Sequence, residues 1–324
     1  MSNLCIICYV FGDKYQIFIP LFALSLIKAY PEYDIRLYLD REICLDVKEQ
    51  MQYLDEYTNL TIIENVKFDS LCSKALQKSQ IQKSLRWIHF DPVFMNYDAV
   101  YIGDIDMLIF KEEQSIYEQH MIHCDIIKAP YSNILRKFIL KKNIINTLCI
   151  LYKCGFENMC KFLFNNDTTL YKMSGLHFVK SPDYFNTLQN NIDYFINELN
   201  MIANNKSKEN CLYNFNNEAF LYKMLQHMNI TIPKLTITKD YNISANPYIN
   251  EYRPHHGIHL GIFRNKTLMK SEKDIISSDV YINYYKQFTD LKSNDIYKKI
   301  ENNFSPYIKD IIQRMEFYYD NLEK

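Results

Sequence analysis

The chain has 324 residues, 48% of them hydrophobic, which is enough for a substantial core and incompatible with wholesale disorder. Its 37 Lys and Arg stand against 38 Asp and Glu, a formal charge of −1 that argues against a protein wrapping nucleic acid. Only 6 residues are glycine and no P-loop or dinucleotide fingerprint occurs, so phosphate must be bound by other means.

Asn3 to Phe11 is a near-continuous apolar run, as in a fully buried parallel strand. Tyr15 to Ala29 has the spacing of a helix, stopped at Tyr30-Pro31. Asp34 to Asp40 alternates as a strand, Glu42 to Tyr57 reads as a helix, and Leu60 to Val66 is a third strand. Lys74 to His89 is helical up to Asp91-Pro92. Asp98 to Asp106 is a fourth strand, apolar first and ending in two carboxylates. This alternation predicts an α/β fold with a mostly parallel sheet, whose ligands sit at the carboxyl ends of the strands.

Ser132 to Phe164 differs in texture, being helical, apolar and locally basic. Arg136, Lys137, Lys141, Lys142, Lys153 and Lys161 accompany one acid, Glu157. A solvated helix face and an approach to anionic lipid head groups both fit that pattern. Leu176 to Val179 reads as a short strand, Asn216 to Met228 as a helix and Leu235 to Ile237 as an edge strand before an irregular His-rich turn. Lys273 to Lys324 is again helical. The nine cysteines are scattered through apolar runs, and the Cys5–Cys8 pair lies inside a strand, so buried reduced thiols are expected. The N-terminus lacks a basic leader, and the apolar stretch Ile17–Ile27 falls short of the about 20 residues that cross a bilayer. A cytoplasmic protein is expected, with peripheral attachment at the inner face of the membrane left open.

Two segments carry chemistry. In Tyr101-Ile102-Gly103-Asp104-Ile105-Asp106, alternate strand residues would aim both carboxylates at one point. Two such charges repel unless a cation lies between them, and Mg²⁺ or Mn²⁺ takes carboxylate oxygens while leaving places for substrate phosphates. In Pro254-His255-His256-Gly257-Ile258-His259-Leu260-Gly261, three of the eight histidines fall within five residues. His259 or His256 would complete a site with Asp104 and Asp106.

With these segments in view, the chain resembles the metal-dependent nucleotide-sugar glycosyltransferases of the GT-A fold, closest to glycosyltransferase family 8. Four stretches carry the resemblance: Gly12-Asp13-Lys14-Tyr15, Leu85-Arg86-Trp87 with Pro92, the Asp104/Asp106 pair, and His259-Leu260-Gly261-Ile262-Phe263-Arg264. It implies that Asp13 or Tyr15 receives a uracil base and that Arg86 reaches the donor phosphate and sugar. It further implies that Asp104, Asp106 and His259, with His256 as the alternative, hold Mn²⁺ or Mg²⁺, while Gly261 and Arg264 face the diphosphate. Met173-Ser174-Gly175 stands where the family has Asn-Ser-Gly, and Asn217-Glu218 where it has Asp-Gln. Glu218 is thus the candidate catalytic carboxylate, beside Asp106, either as a general base giving inversion or as a stabilising carboxylate in retention.

The implied architecture is a GT-A domain over 1–265, with a Rossmann-like mixed, mostly parallel sheet and a helical insertion at about 132–170, followed by a helical extension over 266–324. The implied reaction moves a sugar from a UDP-sugar to a hydroxyl of a glycan or lipid-linked saccharide, in surface polysaccharide or lipopolysaccharide synthesis. Peripheral membrane contact and a homodimer are further expectations, and no nucleic-acid partner is expected. A carbohydrate-binding scaffold without turnover and a sugar-nucleotide pyrophosphorylase are the alternatives.

Overall fold

The computed structural model describes residues 3–139, 142–165, 169–204, 206, 216–232, 235–237, 242–244, 256–265 and 267–322. The strands in chain order are β1 (Leu4–Val10), β2 (Asp34–Leu39), β3 (Leu60–Ile63), β4 (Ala99–Gly103), β5 (Met107–Ile109), β6 (Tyr131–Ser132), β7 (Leu135–Ile139), β8 (Thr169–Met173), β9 (His177–Lys180), β10 (Leu235–Ile237), β11 (Asn242–Ser244) and β12 (Gly257–His259). The chain forms two compact units, each discontinuous in sequence.

The first unit comprises 4–66, 103–116 and 253–324. β1 pairs in parallel with β2, and β2 with β3. β1 is buried along nearly its whole length, as its unbroken apolar run requires, and Cys5 and Cys8 lie in that core. The helix Ile19–Ala29 buries every residue except Lys28, with Pro20 in its first turn where no donor is lost. Its Ser25 Oγ accepts from the Ile109 N–H at 3.0 Å and so fixes β5. β5 pairs antiparallel with β12, Gly257 opposite Ile109 and His259 opposite Met107.

Beyond β12 the expected continuous helical tail is four helices, Lys270–Ile276, Asp279–Lys292, Asp295–Asn302 and Pro306–Asp320. The last two of the three breaks fall where Asn294 and Ser305 cap the next helix, accepting from the Ile296 and Ile308 N–H groups. Gln50 Nε2 donates to the Asn303 carbonyl at 3.3 Å, so these helices belong to the same compact unit as the first strands.

The second unit comprises 1–3, 67–102 and 117–252. Its β9 pairs antiparallel with both β4 and β6, and β7 pairs antiparallel with β8 and β11. The insertion is therefore not wholly helical: β7 and β8 frame the helix Ile144–Phe164. That helix is interrupted at Gly155, whose φ of 83° lies in the left-handed region that favours glycine. Lys142 Nζ donates to the Leu163 carbonyl at 2.7 Å, whereas a straight helix of this length would part those ends by about 30 Å, so the segment is a hairpin of two short helices. The fold class is the expected one, mixed α/β with a parallel run flanked by helices.

Candidate active site

The carboxylate pair does not lie on one strand. β4 stops at Gly103, Asp104 to Asp106 form a turn, and β5 starts at Met107. The alternation argument for a shared direction therefore does not apply. After the turn the chain is held by β12: the Leu260 N–H donates to the Asp106 carbonyl at 2.9 Å, and the Phe110 N–H to the His256 carbonyl at 3.1 Å. These bonds frame the short β5–β12 ladder.

The ladder accounts for both glycines of the His-rich segment. A Cβ on Gly257 would lie 1.7 Å from the Leu108 carbonyl oxygen, so only glycine permits this close strand pairing. A Cβ on Gly261 would lie 2.7 Å from His259 Nε2 and 3.0 Å from Asp106 Oδ2, so its absence leaves room for these two side chains to meet.

Three expected site residues converge on one oxygen. Asp106 Oδ2 lies 3.2 Å from His259 Nε2 and accepts from Arg264 Nη2 at 2.6 Å. The Asp106 side chain is 9% exposed, and burial alone would raise its pKa. The charge and hydrogen bond of His259, with the charge of Arg264, outweigh that and hold the carboxyl well below the usual carboxylate range. For His259 burial acts downward, but the charge and hydrogen bond of Asp106, with the charge of Asp104, raise its pKa on balance.

Arg264 is positioned from three sides. Arg314, itself paired with Asp310 one helical turn away, donates to the Arg264 carbonyl at 2.8 Å. The guanidinium carbon lies 5.5 Å from the Tyr15 ring centroid and 5.3 Å from that of Phe18, within cation–π range. Its Nε is buried with no hydrogen-bond partner among the described residues.

Tyr15 sits on the short helix Asp13–Gln16, entered through Gly12 at φ 76° with its N–H on Asp40 Oδ1 at 2.8 Å. Asp13 is exposed and 3.3 Å from Arg41. His256 does not join the Asp106 cluster; it is buried with Nδ1 3.3 Å from Glu112 Oε1, and Glu112 also accepts from the Tyr284 hydroxyl. His255 lies outside the described residues.

Arg86 and Glu218 belong to the second unit. Arg86 lies flat against its neighbour, 4.1 Å from the Trp87 ring centroid, and Trp87 Nε1 donates to the Asn217 carbonyl at 3.1 Å. Glu218 stands in the first turn of the helix Asn217–His227, capped by Asn216, with Lys172 Nζ at 3.0 Å and Arg136 Nη1 at 3.9 Å. Met173, in place of the family's Asn, is fully buried. Beside it, Asn133 Oδ1 accepts from the Ser174 N–H at 2.8 Å, and its amide lies 3.0 Å from His177 Nδ1.

Lys172, Arg314 and Glu112 were not singled out by sequence reasoning, and Arg136 was noted only as one cation of the basic 132–164 segment, not as a partner of Glu218. Only Arg314 had a signal, the i,i+4 spacing from Asp310 on a helix.

The separation of two of these donors suits a divalent ion. Cis ligands of an octahedral ion with bonds of about 2.1 Å are about 3.0 Å apart, close to the 3.2 Å between Asp106 Oδ2 and His259 Nε2. No group of three His, Cys, Asp or Glu side chains among the described residues could hold a metal unaided. Mg²⁺-type sites commonly use one or two carboxylates, with waters and substrate phosphates filling the rest.

No family model and no curated protein matches the chain. Among solved structures it is similar to a galactosyltransferase, LgtC, in complex with donor and acceptor sugar analogues, at 14% identity over 68% of this chain and 70% of that one with a TM-score of 0.38. It is similar to the mannosyltransferase Ktr4p of S. cerevisiae at 9% identity, over 68% and 64% of the two chains, with a TM-score of 0.42. A third is core-mannan synthase A of Aspergillus fumigatus in its Mn/GDP form, at 13% identity over 78% and 79% with a TM-score of 0.40.

Proposed function

We propose that this chain is a metal-dependent glycosyltransferase of the GT-A type, moving a sugar from a UDP-sugar to a hydroxyl of a glycan or lipid-linked saccharide. The observation that carries the reading is the meeting of Asp106, His259 and Arg264 at one carboxylate oxygen. These residues come from segments more than 150 positions apart, and the sequence resemblance assigns all three to one diphosphate site.

Asp106 and His259, joined by Asp104, would hold Mn²⁺ or Mg²⁺. A bound divalent ion there supplies charge neutralisation for a departing diphosphate. Arg264 adds a fixed cation at the same place, and its unpartnered buried Nε is a donor suited to an anionic oxygen. Tyr15, within range of that guanidinium, offers an apolar face for a base, so an aromatic ring and a cation stand together as a nucleoside diphosphate requires. Arg86 takes a donor-side role in this reading. Glu218, flanked by Lys172 and Arg136, takes the acceptor-side carboxylate role.

The test is UDP release from a panel of UDP-sugars with and without Mn²⁺, followed by NMR of the glycosylated product. Metal-dependent release with one donor, and a single anomer in the product, is the expected result. No release from any UDP-sugar with a folded, metal-loaded protein would overturn the assignment in favour of a non-catalytic carbohydrate-binding protein.

A further inference from the structure

The helical hairpin over 144–164 carries an unusual surface. On its first arm Ile144, Ile145, Leu148, Leu151 and Tyr152 are all exposed, at i, i+1, i+4, i+7 and i+8. On its second arm Phe156, Leu163 and Phe164 are exposed, with Met159 and Cys160 half-buried between them, at i, i+3, i+4, i+7 and i+8. This is the stripe that an amphipathic helix ordinarily turns toward a core. The hairpin already has residues facing its own unit, since Ile150 and Phe162 are buried. The stripes are therefore an additional apolar face, with Tyr152 91% and Phe164 81% exposed.

The charge of the segment selects what covers that face. From Lys137 to Lys161 the sequence has five cations (Lys137, Lys141, Lys142, Lys153 and Lys161) and one acid, Glu157, which pairs with Lys161, in a chain whose total is −1; Arg136, just before them, lies against Glu218. A second copy of this chain would bring the same net positive segment against itself, which disfavours a homodimer through the hairpin. A surface that is apolar in depth and anionic at its edge is complementary, and each lysine near such a surface strengthens binding by about fivefold. We propose that the 144–164 hairpin is a docking element for an anionic phospholipid bilayer, lying in the interface and not crossing it. No helix among the described residues is long and apolar enough to cross a membrane, in keeping with an interfacial mode.

The experiment uses the full chain with vesicles of phosphatidylcholine alone or with phosphatidylglycerol at 7:3, measured by flotation. Phe156→Trp supplies a reporter against a single native tryptophan, Trp87, which is fully buried. The expected results are at least tenfold stronger partitioning onto the anionic vesicles, a blue shift of the new tryptophan on them, and weakening in 1 M salt. Leu148→Glu with Tyr152→Glu, at exposed positions that leave the fold unchanged by circular dichroism, is expected to lower partitioning at least tenfold. Equal binding to both vesicle types, unchanged binding by the double variant, or a dimer in solution that the double variant dissociates would each overturn the proposal.

Discussion

Gly261→Ala places one methyl group at the centre of the proposed site. The added carbon would stand 2.7 Å from His259 Nε2, 3.1 Å from His259 Cε1 and 3.0 Å from Asp106 Oδ2. Ordinary contact begins near 3.4 Å, so these atoms must withdraw by about half an ångström. They cannot withdraw freely, because Asp106 Oδ2 is tied to Arg264 at 2.6 Å and to His259 at 3.2 Å. Overpacking of this kind costs about 1–3 kcal/mol, and the stiffer unfolded chain of alanine returns about 0.4–1 kcal/mol. The net loss of about 1–2 kcal/mol lowers Tm by about 2–8 °C and leaves the protein folded. The functional loss is larger, since a group that disturbs the orientation of metal ligands, as loss of an outer-shell partner does, costs about 10–100-fold in metal affinity. Thermal-shift titration with Mn²⁺ and UDP, run beside circular dichroism, separates the two effects. A Gly261→Ala protein that binds Mn²⁺ and UDP within twofold of the unsubstituted chain would refute the placement of the site between Asp106 and His259.

Gly257→Ala acts elsewhere, because its carbon would strike backbone at 1.7 Å; the β5–β12 ladder is expected to open, with a loss of about 3 kcal/mol or aggregation on expression, measured by urea unfolding. His177 and His89 are buried, and burial lowers their pKa values to about 3 and about 4. Between those values and the ordinary 6.5 the unfolded chain binds the protons and the folded chain does not, so stability falls as pH drops below about 6.5, by up to about 1.4 kcal/mol per unit for each histidine. His177→Phe is expected to halve that acid slope while costing about 1 kcal/mol at neutral pH, where Asn133 loses a hydrogen-bond partner; an unchanged slope would contradict the assignment. Glu218→Gln is expected to lower turnover about 10²–10⁴-fold with UDP affinity within threefold, as befits a carboxylate acting on the acceptor side.

Much of the first unit could be read in advance, because long apolar runs have few alternatives. β1, β2 and the start of β3 fall where buried or alternating patterns put them, and the helix Ile19–Ala29 is stopped at the Tyr30-Pro31 boundary. The grouping of Asp106, His259 and Arg264 came from the resemblance, with His256 left as the alternative to His259, since no local signal joins residues so far apart. Three features were out of reach for physical reasons. β12 has three residues, two of them His and Gly, so neither period nor propensity marks it; only its partner β5 makes it a strand. β4 ends at Gly103 and β5 begins at Met107 with a single glycine, Gly103, and no proline to mark the change, so two carboxylates expected on one strand lie in a turn. The fold-back at Gly155 depends on a φ of 83° that composition does not specify. The buried partners Glu112 of His256 and Lys172 of Glu218 are set by tertiary packing and leave no trace in spacing.

The central claim is that Asp106 and His259 form a metal-dependent nucleotide site. Isothermal titration of UDP tests it most directly, with and without Mn²⁺, on the unsubstituted chain and on Asp106→Asn. The expected result is UDP binding that needs Mn²⁺ and is lost in the variant while its circular dichroism is unchanged. UDP binding of equal strength without metal, or retained in full by Asp106→Asn, would contradict it.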